Sequence, residues 1–173
     1  KLYAAELVRG RELLKTLGEG ESGVAKQRFV FVAMLTRLRQ VCCHPALVGG
    51  RRDLGSGKYE ALFDLLEPLL AENRKVLVFS QFVENLKLIA ADLEHRGIPF
   101  HVLTGSTSTR DRAGVVDAFT RDERPCAFLV SLKAGGTGLN LTAARDVVLF
   151  DPWWNPAVEA QAIDRTHRIG QDR

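Results

Sequence analysis

Apolar positions recur at helical spacing through the first forty residues and then contract into short runs separated by amphipathic stretches. Leu2, Leu7, Leu13, Leu14 and Leu17 predict a helix over 2–17, stopped by Gly18. Gly18, Gly20, Ser22 and Gly23 predict a flexible turn. Phe31, Met34, Leu35, Leu38 and Val41 place the apolar side of a second helix over 24–41. Its other side carries Lys26, Arg28, Arg37 and Arg39, and Pro45 ends it. The stretch 49–57 is rich in glycine and reads as a hinge.

From residue 58 the pattern becomes helix–strand alternation. A helix over 58–72, kinked at Pro68, precedes the run Val76–Phe79; a helix over 83–95 ends at Gly97, before a strand over 99–103. A helix over 108–120 opens on Ser108-Thr109-Arg110-Asp111, in which Ser108 and Asp111 can satisfy orphan amides. The runs Cys126–Val130 and Val147–Phe150 supply two more strands, and a last helix starts at Asn155-Pro156. Short apolar runs separated by helices predict an α/β fold, a parallel sheet with helices on both faces. The expected organisation is a helical segment over 1–50, a linker over 51–57 and an α/β lobe over 58–173.

Ligands of such sheets sit beyond the carboxyl ends of the strands. Those ends carry Ser80-Gln81, Thr104-Gly105-Ser106-Thr107, Ser131 through Gly138, and Asp151 through Asn155. All four are small, polar or glycine-rich, which suits phosphate-like or polar ligands.

Composition narrows the class without naming a function. The 173 residues are 46% hydrophobic, with 24 Lys+Arg against 21 Asp+Glu, which excludes disorder. No apolar run approaches a bilayer span, no leader-like segment opens the chain, and Cys42, Cys43 and Cys126 make no disulfide framework. These features point to an intracellular protein with no membrane partner. The net charge of +3 hides a local +6 over residues 1–58, a mild pointer to a polyanion or simply a solvated helical face.

Several motifs carry candidate chemistry. The loop Ala134-Gly135-Gly136-Thr137-Gly138-Leu139-Asn140 can aim amides at an anion, or can be a tight turn whose glycines serve sterics. Gly55-Ser56-Gly57-Lys58 is no phosphate loop, since Tyr59 stands where a magnesium-binding hydroxyl belongs and no strand precedes it. Asp122-Glu123 sits at the wrong end of a strand for a magnesium site, and Cys42-Cys43-His44 lacks metal-ligand spacing. Gln161, Arg165 and Arg168 fall on one helical face, a fork-shaped donor surface or a solvated stripe paired with Glu159 or Asp164. Trp153-Trp154 offers an indole for stacking or a buried hinge anchor.

Five ordered motifs closely resemble the second motor lobe of the Swi/Snf-type ATPases, superfamily-two helicase-like DNA translocases of chromatin remodellers and their bacterial relatives. They are Val76–Phe82, Leu103–Thr107, Ser131–Leu141, Asp151–Pro156 and Gln161–Gln171. Leu35–Pro45 also resembles the family's helical segment between the lobes, and the likeness covers residues 29–171. It implies a RecA-like lobe. Arg165 and Arg168 would be arginine fingers reaching the γ-phosphate of ATP held with Mg2+ by a first lobe, and Gln161 would organise that face. Gly136, Gly138 and Asn140 would line the nucleotide side. Ser80, Gln81, Thr104, Gly105, Ser131, Lys133 and Thr137 would meet the backbone of double-stranded DNA, with Trp154 near a groove.

The resemblance further implies DNA-dependent ATP hydrolysis, translocation and remodelling of protein–DNA complexes by a protein with both lobes. This chain carries neither the phosphate loop nor the acidic box and is expected to be inactive alone. A doubly wound nucleotide-binding transferase and a non-enzymatic DNA-binding module stand as rivals. The expected location is the bacterial cytoplasm, with the nucleoid, or a nucleus.

Overall fold

A computed structural model describes residues 1–16, 21–135 and 141–152. They fall into two compact units, divided between Glu60 and Ala61.

In the first unit, α1 (Leu2–Lys15) pairs with α2 (Glu21–Cys43), and a 3-10 turn (Pro45–Val48) follows. Arg37 ties the helices together: its Nε and Nη2 reach the two Glu6 carboxylate oxygens at 2.7 and 2.9 Å, and Nη2 also donates to the Val48 carbonyl at 3.2 Å. Ser22 and Gly23 lie inside α2, so the expected turn is shorter than its sequence suggests. A helical glycine costs about 1 kcal/mol, which the contacts of α2 with α1 outweigh. The helix runs two residues past the expected end, to Cys43, and stops before Pro45: Pro45 cannot donate, and His44 Nδ1 takes the Ala46 amide at 3.1 Å.

The second unit is built on β1 (Val76–Ser80), β2 (Phe100–Leu103), β3 (Ala127–Ser131) and β4 (Asp146–Leu149). The helices are α3 (Gly57–Ala71), which crosses the boundary between units, α4 (Val83–His95), α5 (Thr109–Arg121) and the single turn α6 (Leu132–Gly135). The sheet runs β2-β3-β1-β4 with every pair parallel. Strand bounds differ from the expected ones by a residue, as for β3 and β4, because ladder register sets the ends: Cys126 lends only its carbonyl, to the Val76 amide at 3.1 Å. The assigned helix α3 continues through Pro68 to Ala71. Ser108 caps α5 as predicted, taking the Asp111 amide at 3.2 Å; the Asp111 carboxylate accepts from the Ser108 hydroxyl at 2.6 Å and so does not close a full capping box.

Strand order dictates which face each crossover covers. The step β1→β2 runs one way across the sheet, while β2→β3 and β3→β4 run the other. With right-handed crossovers, α4 must therefore lie on one face, and α5 with the β3–β4 connection on the opposite face. The core agrees. Val116 and Phe119 of α5 share a cluster with Leu77, Phe79, Phe128 and Val130, and Leu132, Leu141 and Ala144 of the connection join it. Leu86, Ile89 and Leu93 of α4 are fully buried but stand outside that cluster, with Val76 and Val78 left by strand alternation for their face.

Candidate nucleic-acid and nucleotide interface

A parallel sheet delivers the carboxyl ends of all its strands to one edge. Here the chain leaves β1 toward the α4 face and leaves β3 toward the α5 face, so these two neighbouring ends form the switch point beyond which α/β sheets bind their ligands. Ser80 and Ser131 stand there as in-register partners.

Ser80 is fully buried, and its hydroxyl is the hub of a small network. It donates to Asp151 Oδ2 at 2.6 Å and accepts from the Phe82 amide at 3.1 Å and Asn85 Nδ2 at 3.4 Å. Asp151, 2% exposed, takes the Gln81 amide on Oδ1 at 2.8 Å. The Phe150 amide donates to the Phe79 carbonyl at 2.9 Å, extending the β1–β4 pairing up to the acid. Two short, charge-assisted bonds to one buried carboxylate thus hold the β1 exit against the β4 exit.

The β2 end is a self-satisfied turn. Thr104 is buried, its Oγ1 lies 2.7 Å from Ser106 Oγ, and its amide donates to Thr107 Oγ1 at 3.2 Å. Arg112 Nε braces the turn through the Thr107 carbonyl at 3.1 Å. Gly105 sits exposed at the tip, where an added Cβ would meet nothing within 4 Å. At the β3 end the Ser131 hydroxyl is buried without a hydrogen-bond partner among the described residues, while Lys133 is exposed.

Six predicted contact residues therefore share one edge, but they divide by exposure. Ser80, Thr104 and Ser131 are buried; Gln81 is half-buried, and Gly105 and Lys133 face solvent. Sequence reasoning missed Asp151 and the fully buried Asn85 as members of the network. The signal available for Asp151 was an acid placed directly after an apolar strand run, where a solvated loop residue is the default reading. The predicted Gly136, Thr137, Gly138, Asn140, Trp154, Gln161, Arg165 and Arg168 lie outside the described residues.

The opposite edge holds a different cluster. His101, Asp122 and Cys126 bring three potential ligand atoms within 4.8 Å of one another. Asp122 is already engaged: Arg124 Nε and Nη2 each donate at 3.0 Å, the Arg124 amide at 3.1 Å, and His101 Nε2 lies at 3.0 Å. Arg124 first, then His101, hold its carboxyl well below the usual range. Burial, with the Asp122 charge second, pushes the Cys126 thiol up to about 11. With the Asp122 carboxylate already saturated by Arg124 and His101, the cluster is a structural knot at the base of the sheet.

Residues 57–170 match the family described as helicase conserved C-terminal domain. An uncharacterised ATP-dependent helicase of Mycoplasma pneumoniae is 36% identical over 173 residues, which is 100% of this chain and 16% of that protein. The solved C-terminal domain of the Sulfolobus solfataricus SWI2/SNF2 ATPase superposes with a TM-score of 0.78 at 33% identity, covering 92% of this chain and 69% of that one. The core of the SWI2/SNF2 ATPase from the same organism, solved in complex with dsDNA, gives 0.79 at 31% identity over 99% of this chain and 36% of that one. The chain spans 16–17% of the length of the first curated relatives it matches.

Proposed function

The chain belongs to the helicase conserved C-terminal domain family, as the RecA-like C-terminal lobe of a Swi/Snf-type helicase, and from that premise we infer that it is the DNA-gripping, finger-bearing half of a two-lobed, DNA-dependent ATPase. The full-length protein hydrolyses ATP between its lobes, translocates on duplex DNA and remodels protein–DNA complexes. The observation that carries this reading is the collection of Gln81, Gly105 and Lys133 at the one sheet edge where an α/β fold binds its ligands.

Within this reading the buried and exposed residues take different parts. Gln81, Gly105, Lys133 and Thr137 contact the sugar-phosphate backbone, which carries no sequence information and so suits translocation. Ser80, Thr104 and Ser131 shape the edge from beneath, and Trp154 approaches a groove. Gly136, Gly138 and Asn140 line the nucleotide. Arg165 and Arg168, organised by Gln161, stabilise the charge that develops on the γ-phosphoryl group.

Mg2+ belongs to the first lobe. Asp151, the carboxylate at this edge among the described residues, has both oxygens occupied by Ser80 and Gln81 and does not fit a magnesium ligand. Without the first lobe's phosphate cradle the fingers have nothing to act on, so the isolated lobe is inactive. The segment 1–50 is the helical protrusion between lobes, joined through 51–57 to the lobe proper. Among the described residues no helix is long and apolar enough to cross a membrane, and the site of action is the chromosome inside the cell.

Salt titration of duplex binding by the full-length protein tests the DNA-facing edge. Lys133→Ala should weaken binding uniformly across sequences and lower the slope of log K against log salt by about 1. An unchanged slope would remove Lys133 from the interface.

A further inference from the structure

We propose that Asp151 is a positioning residue of the motor: it couples the DNA-facing exit of β1 to the chain that leaves β4 toward the last motif. The proposal rests on the reading of this edge as the DNA interface. Its basis is the direction of each hydrogen bond. The Ser80 oxygen already accepts from the Phe82 amide at 3.1 Å and from Asn85 Nδ2 at 3.4 Å, and its one proton has a short, charged acceptor in Asp151 Oδ2 at 2.6 Å against a long, neutral one in the Phe82 carbonyl at 3.4 Å. The second carboxylate oxygen takes the Gln81 amide at 2.8 Å. An ionised carboxylate, an acceptor at both oxygens, matches two donors with no conflict.

The consequence is mechanical. Gln81 is held by its own amide, so its place at the edge is set by a residue of another strand exit, 70 positions further along the chain. Asp151 is followed immediately by Pro152, whose fixed φ limits how the chain can leave the anchor. Force felt by the DNA-facing β1 loop is thereby transmitted to the base of the segment that carries Arg165 and Arg168, without Asp151 touching DNA or nucleotide. An amide in its place turns one acceptor into a donor, facing either the Gln81 N–H or a Ser80 oxygen whose lone pairs are in use.

The test is steady-state kinetics of the full-length ATPase carrying Asp151→Asn, Ser80→Ala or both, with folding checked by melting temperature. We expect each single variant to lower the kcat of DNA-stimulated hydrolysis at least tenfold with little change in KM for ATP. The double variant should be no worse than the poorer single one, because both cut the same link. If Asp151→Asn does not fold, Ser80→Ala decides alone, since it removes the Oδ2 arm of the same link with the loss of one hydroxyl. Wild-type kcat in the folded variants, or strictly multiplicative losses, overturns the proposal. Gln81→Ala and Lys133→Ala separate it from its premise: if they leave DNA affinity intact, the interface reading fails; if they weaken DNA binding while Asp151→Asn does not lower kcat, only the coupling fails.

Discussion

Met34 lies across Gly10 so closely that a Cβ built on Gly10 would stand 2.3 Å from both Met34 Cγ and Sδ. The helix α1 therefore carries a buried glycine in its interior, where propensity alone disfavours it by about 1 kcal/mol relative to alanine. Gly10→Ala should cost about 1 kcal/mol net, because overpacking of about 1–3 kcal/mol outweighs the gain in propensity. In a Met34→Ala background the same change should become stabilising. Amide hydrogen exchange across α1 and α2 measures both. A loss of equal size in the two backgrounds would show that the contact is not the reason for the glycine.

Asp122 makes the base of the sheet acid-sensitive. Its folded pKa is depressed by Arg124 first and His101 second, so it contributes stability above its unfolded value of about 3.9 and loses it as pH falls toward the lower folded value. Unfolding of the wild type should steepen below about pH 4. Asp122→Asn should flatten that limb by up to about one proton, which acid titration at several denaturant concentrations would read. Identical acid limbs would mean the pairing is already present in the unfolded chain.

The cysteines give an opposite pH signature. Cys126 is raised to about 11 by burial, so its contribution is intact below the unfolded thiol value of about 8.5 and is lost as pH climbs through 11. Cys126→Ala should remove that alkaline loss. At neutral pH an alkylating reagent should label exposed Cys42 and spare buried Cys43 and Cys126. Rapid labelling of Cys126 in folded protein would contradict the burial.

Much of the lobe is legible because its strands are short and the central two, β1 and β3, are buried along their whole length. Runs such as Val76–Phe79 cannot be satisfied on a surface, and Gly97 and Ser108 punctuate the helices between them. The parallel arrangement and the polar edge follow from the alternation. Strand order is less accessible, since register depends on which apolar faces meet, a property of the whole core. Ser22 and Gly23 misled because local propensity is weaker than the pairing of α2 with α1. At the site, residue type disclosed the polar edge but not who faces whom. Ser80 reads as a ligand contact until Asp151, distant in sequence, is found to occupy its hydroxyl.

The proposed arginine fingers, Arg165 and Arg168, act on ATP held by a partner lobe, and hydrolysis by the full-length protein reads their action directly. Arg165→Ala and Arg168→Ala, each in the full-length protein, should lower the DNA-stimulated rate of ATP hydrolysis by about 100-fold or more, within the range known for arginine fingers, while nucleotide binding persists. Full DNA-stimulated hydrolysis in both variants would contradict the account.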